Sequence, residues 1–154
     1  MVNPILSMES HEIKNLRHLL LLRSEWMENR LMANAEMRGY ADITPAMSRL
    51  FAYLAGKPIA ISDLARKLSV SRQAVHKLAL EASRLGYVEF MPSSDDARLK
   101  LLKFTAKGRS MSLTAENDLS EIEKALAKQI GLQRMQALQE ILSMPWTSED
   151  KDRR

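Results

Sequence analysis

The chain has 154 residues, of which 45% are hydrophobic, 27% charged and 5% aromatic, as expected for one soluble globular domain with a mainly aliphatic core. It contains no Cys, which excludes disulfides, thiolate chemistry and Cys-ligated metals. The net charge is +4, but residues 66–109 hold ten Lys or Arg against four Asp or Glu, so this block is +6 and the remainder −2. Such a block favours a polyanionic partner, with a solvated basic surface as the alternative.

Nothing in the sequence predicts membrane insertion or export. The apolar run Leu19–Leu22 is far shorter than the roughly 20 residues of a membrane span. The first twelve residues lack a basic segment followed by an apolar one. We therefore expect no membrane partner and a cytoplasmic location.

The first predicted element is a long amphipathic helix over about residues 9–38. Its apolar residues recur mostly at three- and four-residue intervals: Ile13, Leu16, Leu20, Met27 and Leu31. Leu19, Leu22 and Trp26 lie partly off this stripe and widen the apolar surface. A helix with two apolar sides needs two neighbours, one of which can be another chain.

A shorter helix follows. Thr44 suits its N-cap, Pro45 its first position and Gly56 its end. Four apolar residues are predicted on its inner face: Met47, Leu50, Phe51 and Leu54. The letters KPIAI then predict a short strand.

Two further short helices complete the first half of the chain. The third helix is predicted to begin at Ser62 and Asp63, and its inward residues are Leu64, Ala65 and Leu68. The letters SVS predict a tight turn. Ser71 then caps a fourth helix, which runs to about Leu85 and ends at Gly86.

After Gly86 the apolar period changes to two, which predicts a β-hairpin: YVEFM as one strand, PSSDD as the turn and RLKLLKF as the return strand. Thr105 then caps a long helix over residues 106–144 that Gly131 interrupts. The predicted apolar face of its first part is Met111, Ala115, Leu119, Ile122, Leu126 and Ile130. That of its last part is Leu132, Met135, Leu138, Ile141 and Leu142. Residues 145–154 are expected to form a flexible tail.

This order of elements predicts a mainly α fold with a small β-wing. Two helices joined by a tight turn form a helix-turn-helix, and a basic hairpin directly after the second helix makes it a winged one. We expect one domain over residues 1–154, with the winged helix-turn-helix over residues 43–105. The flanking helices, 9–38 and 106–144, are the expected dimerisation helices.

The fourth helix has two chemically different sides. Its apolar side is predicted to hold Ala74, Val75, Leu78, Ala82 and Leu85. Its N-terminal polar side holds Ser71, Arg72, Gln73, His76 and Lys77. Arg can donate two hydrogen bonds to guanine, Gln can pair with adenine, and helix N-terminal amides suit a phosphate. These residues favour a helix that reads the major groove of DNA; an ordinary amphipathic surface helix is the alternative.

The hairpin carries a second candidate contact. Asp96 and Arg98 lie two apart where the turn becomes a strand, so their side chains can share one face. The carboxylate could hold the arginine extended towards a minor groove, where the potential favours Arg. The alternative is a surface ion pair worth under ~1 kcal/mol.

The chain resembles the MarR family of bacterial transcription regulators. The resemblance rests on ITPAMSRLFAYLAG, ISDLARKLSVSRQAVHKL, RLGYVEF and the wing DDARLKLLKFTAKG. It implies a homodimer that binds a pseudo-palindromic duplex operator, most commonly as a repressor, and is associated with the nucleoid when bound. It implies DNA contacts by Ser71, Arg72, Gln73, His76 and Lys77, and by Arg98 held by Asp96. We also expect Ser62, at the start of the third helix, to contact DNA. Family members often have a Thr or Ser cap at the position of Ala60, so Ser62 is expected to replace it.

The family also implies a small-molecule pocket between the dimerisation helices and the DNA-binding lobe. The Met-rich junction of the first two helices, with Arg23, Arg30 and Arg49 nearby, suggests a hydrophobic effector that can be an anionic aromatic one. The candidate pocket residues are Met27, Arg30, Met47 and Phe51. The alternative is that Met only fills the core.

No pattern in the sequence predicts a catalytic or metal site, and we expect neither enzymatic activity nor a cofactor. His11 and His18 lie seven residues apart and cannot chelate one metal without other ligands. The alternative to DNA binding is a winged-helix scaffold for protein partners. Such a scaffold should expose apolar residues on the fourth helix, and Leu80 is one candidate.

Overall fold

A computed structural model of the chain describes residues 15–54, 56–95 and 99–147. It contains six helices, α1 (Leu16–Met37), α2 (Pro45–Ala52), α3 (Ile61–Leu68), α4 (Arg72–Arg84), α5 (Ala106–Ile130) and α6 (Leu132–Ser143). Three strands lie between them, β1 (Ile59–Ala60), β2 (Val88–Pro92) and β3 (Lys100–Phe104). The predicted fold class, mainly α with a small β-wing, is confirmed. Residues 9–14 of the predicted first helix and 148–154 of the predicted tail lie outside the described residues.

The three strands form one antiparallel sheet in the order β1-β3-β2. Ile59 and Phe90 both pair with Leu102, one from each side, and Val88 pairs with Phe104. Alternate residues of β3 therefore face the core, and Leu102 and Phe104 are buried. The strand before α3 and the hairpin after α4 are thus parts of one sheet, which joins the helix-turn-helix to the wing.

Three of the predicted helix caps are confirmed. The side-chain oxygens of Thr44, Ser71 and Thr105 accept the backbone N–H groups of the residues three positions later, at 3.2, 3.1 and 3.0 Å. Pro45 occupies the first position of α2, where its missing N–H costs nothing. The starts of α2, α4 and α5 are therefore fixed by local side-chain chemistry.

The predicted cap at Ser62 is wrong. Helix α3 begins at Ile61, and Ala60 occupies the N-cap without a side-chain hydrogen bond. Ala60 pairs with Leu101 in the sheet, so the strand leads directly into the helix. Ile61 is buried in the core, and this burial, rather than a cap, fixes the first turn.

The predicted end of α2 at Gly56 is also wrong. The helix ends at Ala52, with Tyr53 as C-cap, whose N–H bonds the Leu50 carbonyl three residues back. The chain then tightens into a turn that keeps Leu54 buried. The end of α4 is as predicted: Leu85 is the C-cap and Gly86 follows with a positive φ of 84°, which favours glycine.

The core lies between α2, α3, α4 and the sheet. Its aromatic centre is Phe51, whose ring centroid is 5.8 Å from that of Tyr87 and 5.6 Å from that of Phe104. The predicted inner faces of α2 and α3 are confirmed. On α4, however, the buried residues are Val75, Ala79 and Ala82. Ala74 was predicted to face the core but is exposed, because the buried side centres on the stripe one residue later.

Helices α1, α5 and α6 flank this core. Met111 and Ile122 of α5 are buried as predicted, but Met135 is the only buried residue of α6. The other residues of the predicted α6 face are exposed: Leu132, Leu138, Ile141 and Leu142. Among the described residues, no helix is long and apolar enough to cross a membrane.

Candidate nucleic-acid interface

The polar side of α4 is exposed to solvent, as the sequence predicted. Arg72, Gln73, His76 and Lys77 all lie on this side. Ser71 caps the helix, so the N-terminal end of α4 opens to solvent between these side chains. The partial positive charge of a helix N-terminus lies where an anionic partner would approach.

A groove of about 320 Å³ lies between the starts of α3 and α4 and the base of the wing. It is lined by Ala60, Ile61, Ser62, Arg72, Gln73, His76, Leu99 and Lys100. The structure thus brings together four of the predicted contact residues. Lys100 was not among the predicted contact residues; its position at the start of β3, in a strand of alternating exposure, could have indicated it. Lys77 lies outside this groove, on the exposed side of α4.

His76 is held against the wing. Its imidazole lies 5.7 Å, centroid to centroid, from the half-buried ring of Phe90 in β2, at an interplanar angle of 37°. Contacts of this kind favour an offset or tilted arrangement of rings. One side of the imidazole is therefore packed, and His76 also lines the groove.

The positive charge of the groove is not neutralised within the described part of the chain. The ion pairs found there involve Arg38, Arg49, Arg66, Lys103 and Lys124. None involves Arg72, Lys77 or Lys100. Among the described residues, these three cations are therefore without an ion-pair partner.

Asp96 and Arg98 of the predicted wing contact lie outside the described residues. The base of the hairpin is closed by the Ser93 N–H, which donates to the Leu99 carbonyl at 2.9 Å. The proposed pairing of Asp96 with Arg98 therefore stays a prediction.

The C-terminal end of α4 is attached to the start of α5. The Thr105 hydroxyl donates to the Gly86 carbonyl at 2.6 Å, and the Lys107 ammonium donates to the Leu85 carbonyl at 2.7 Å. Gly108 packs so closely that a Cβ there would lie 1.9 Å from the Tyr87 carbonyl oxygen. The TAKG segment is thus a joint that fixes the orientation of α4 relative to α5.

The side chain of Tyr87 also takes part in this joint. Its hydroxyl donates to the Asp42 carboxylate at 2.6 Å, and the Lys107 ammonium lies 4.2 Å from the ring centroid. Burial of the phenol raises the pKa of Tyr87 well above its ordinary value, and the hydrogen bond to Asp42 adds to this. The loop before α2, the end of α4 and the start of α5 therefore meet at one buried side chain.

A second cavity, of about 260 Å³, lies between α1, α2 and α5. Its wall is mainly apolar and includes Leu31, Met32, Ile43, Phe51, Met111, Ala115 and Leu119. Of the four predicted pocket residues only Phe51 lines it. Met47 is fully buried in the core, Arg30 lies 4.5 Å from the Trp26 ring centroid, and Met27 is half-buried on α1.

Acidic groups lie in the wall of this cavity. Asp118 is buried and lines it together with Glu116. Arg38, at the end of α1, donates to both carboxylate oxygens of Asp118, the shorter bond being 2.6 Å, and this contact raises the pKa of Arg38. In residues 15–54, 56–95 and 99–147, no three His, Asp or Glu side chains are grouped as a metal site would need.

Comparison with known proteins agrees with this geometry. The family model described as MarR family matches residues 41–99, which confirms the resemblance inferred from the sequence. A sequence search of curated proteins gave no significant match.

Solved structures share the fold over most of the chain. The apo form of MarR from E. coli superposes with a TM-score of 0.69 at 22% identity, covering 85% of this chain and 96% of that one. NadR in complex with 4-hydroxyphenylacetate gives 0.68 at 21%, covering 88% and 96%. The repressor CouR bound to a 23-mer DNA duplex gives 0.70 at 18%, covering 88% and 97%.

Proposed function

From a winged helix-turn-helix that matches the MarR family over residues 41–99, we infer that this chain is a sequence-specific, duplex-DNA-binding transcription regulator. The observation that carries the proposal is the groove at the start of α4. Arg72, Gln73, His76 and Lys100 converge there, and the described acidic side chains leave its cations unpaired. The proposal assigns the chain no catalytic activity.

The residues of the groove have separable roles in this proposal. With the N-terminal turns of α4 in the major groove, Arg72 faces a guanine edge and Gln73 an adenine edge. Ser62, Ser71 and Lys100 contact phosphates, which fix the register but do not select a sequence. His76 and Lys77 complete the contact on the exposed side of α4. Arg98, oriented by Asp96, enters the neighbouring minor groove.

The regulator acts as a homodimer in this proposal. Exposed large apolar side chains are concentrated on α1 and α6: Leu16, Leu21, Leu22, Leu132, Leu138, Ile141 and Leu142. Contiguous exposed apolar surface usually marks an interface. A dimer with two copies of α4 requires a pseudo-palindromic operator with half-sites about one helical turn apart.

Regulation by a small molecule is the second part of the proposal. The mainly apolar cavity between α1, α2 and α5 suits a hydrophobic or aromatic effector that relieves repression. The charge of Asp118 is matched by Arg38, but Glu116 in the same wall disfavours an anionic ligand, so a neutral one is the better fit. Calorimetry with matched aromatic acids and amides tests this choice. If neither set binds and neither set lowers DNA affinity, regulation by such an effector is rejected.

The test of DNA binding is selection from random duplexes with the purified chain, followed by affinity measurements at several salt concentrations. We expect an inverted repeat with a nanomolar Kd and a steep salt slope. Arg72→Ala should weaken binding by about 1–3 kcal/mol and relax the preference at one position of each half-site. Lys128→Ala, an exposed Lys on α5, is the matched control. Weak binding without sequence preference would instead favour the protein scaffold.

A further inference from the structure

Leu80 occupies an unexpected place on α4. Half of its surface is exposed (51%), and it lies on the side opposite the buried residues Val75 and Ala82. Seven residues separate it from Gln73, which is close to two full helical turns, so the two side chains point in nearly the same direction. Leu80 is therefore at the centre of the exposed polar face, not at its edge.

The immediate surroundings of Leu80 are basic. Lys77, three residues before it, and Arg84, four residues after it, are its neighbours on the helix surface, and both are exposed. A single exposed Leu is common on protein surfaces and by itself indicates nothing. A protein-docking surface would need a contiguous apolar patch, whereas here one apolar side chain lies between two cations.

DNA offers one partner for an apolar side chain in this position. At a rise of 1.5 Å per residue, Leu80 lies about 10 Å along the helix from Gln73, which is less than the roughly 12 Å width of the major groove. A helix with Gln73 at a base edge thus keeps Leu80 over the groove, with Lys77 and Arg84 beside it on one flank of the helix, towards the phosphates of one strand. The apolar group displayed in the major groove is the C5-methyl of thymine.

We propose that Leu80 is a specificity-determining residue that contacts the C5-methyl group of a thymine in each half-site of the operator. The inference rests on the proposed DNA-binding function and adds to it an apolar reader behind the hydrogen-bonding residues. In a homodimer the contact occurs twice, at symmetry-related positions. The predicted preference is for thymine over the three bases that lack a methyl group.

The test replaces thymine by uracil, which removes the methyl group and keeps the Watson–Crick edge. Each thymine of the duplex selected by the wild-type chain is replaced in turn, and Kd is measured at constant salt. At one position per half-site, uracil should weaken binding about fourfold, as expected for the loss of one buried methyl-sized contact, and about sixteenfold when both half-sites are changed. Leu80→Ala should bind the thymine and uracil duplexes equally.

Two controls separate this role from a structural one. Leu80→Met keeps an apolar side chain of similar volume and should restore the thymine preference. Leu80→Ala should keep the base preferences assigned to Arg72 and Gln73, since the Leu80 side chain is exposed and does not position either residue.

The outcomes distinguish the two proposals. Suppose that the wild-type chain selects an operator, and that every loss of affinity caused by uracil is the same in Leu80→Ala as in the wild type. The thymine contact is then refuted and the DNA-binding function stands. If the wild-type chain selects no sequence at all, both are refuted.

Discussion

Gly108→Ala is the sharpest test of the joint between α4 and α5. The added Cβ would lie 1.9 Å from the Tyr87 carbonyl oxygen and 2.7 Å from Phe104 Cδ1. A carbon and an oxygen in contact need about 3.3 Å, so the first turn of α5 would have to move by more than ~1 Å. The obstacle is the main chain, and Thr105 holds the same carbonyl through its N–H at 3.0 Å.

The cost should lie at the upper end of the range for overpacking, about 3 kcal/mol, because a fixed carbonyl cannot turn away as a side chain can. For a chain of this length, that corresponds to a fall in Tm of about 6–12 °C. The measurement is urea and thermal unfolding followed by circular dichroism. Both chains are compared at one protein concentration, since a dimer's stability depends on it.

Gly56→Ala is the matched control. No atom lies within 4 Å of a Cβ at Gly56, so the same substitution there should change stability little. Operator affinity should also fall in Gly108→Ala, because the joint sets the orientation of α4. If Gly108→Ala unfolds at the same urea concentration as Gly56→Ala, the close approach of Gly108 to the Tyr87 carbonyl does not exist in solution.

Three further predictions concern Tyr87, the ion pair of Arg38 with Asp118, and the cavity. Tyr87→Phe should lower the free energy of unfolding by about 0.5–1.5 kcal/mol. Because the folded-state pKa of Tyr87 is raised, the stability of the wild type should fall as pH rises above the ordinary value of 10.0. Urea unfolding at several pH values should show a smaller fall in Tyr87→Phe. Arg38→Ala should lower the urea midpoint more than D118N does, because it leaves a buried carboxylate unpaired; equal midpoints would contradict this. Ala115→Phe should fill the cavity between α1, α2 and α5 and abolish effector binding by calorimetry without changing operator affinity; unchanged effector binding would place the effector elsewhere.

The features that the sequence predicted well are local ones. Thr44, Ser71 and Thr105 cap helices because each side chain reaches a backbone N–H only three residues away, so the residue type and its position suffice. The polar face of α4 was predicted for the same reason, since helical geometry alone separates Arg72 and Gln73 from the buried stripe.

The features that the sequence missed depend on distant contacts. The early start of α3 requires Ala60 to pair with Leu101, about 40 residues further along the chain. Lys100 joins the groove only because β3 lies between β1 and β2, which the local pattern does not contain. The cavity is lined by three helices, and the sequence did not predict its acidic wall. A buried Asp118 is stable only because Arg38, 80 residues earlier, pairs with it, and the local pattern does not contain that contact.

The exposed faces of α1 and α6 also depend on contacts that the sequence does not contain. Periodicity predicted that Leu132, Leu138 and Ile141 would be covered, and within one chain they are not. A second copy is the partner that would cover them in the proposed homodimer. Since Thr105 and Lys107 attach the end of α4 to α5, the distance between the two copies of α4 would follow from how the long helices pair. A ligand that separates α1 from α5 would then change the distance between the two copies of α4, and so their match to the half-sites, without touching the DNA-binding residues.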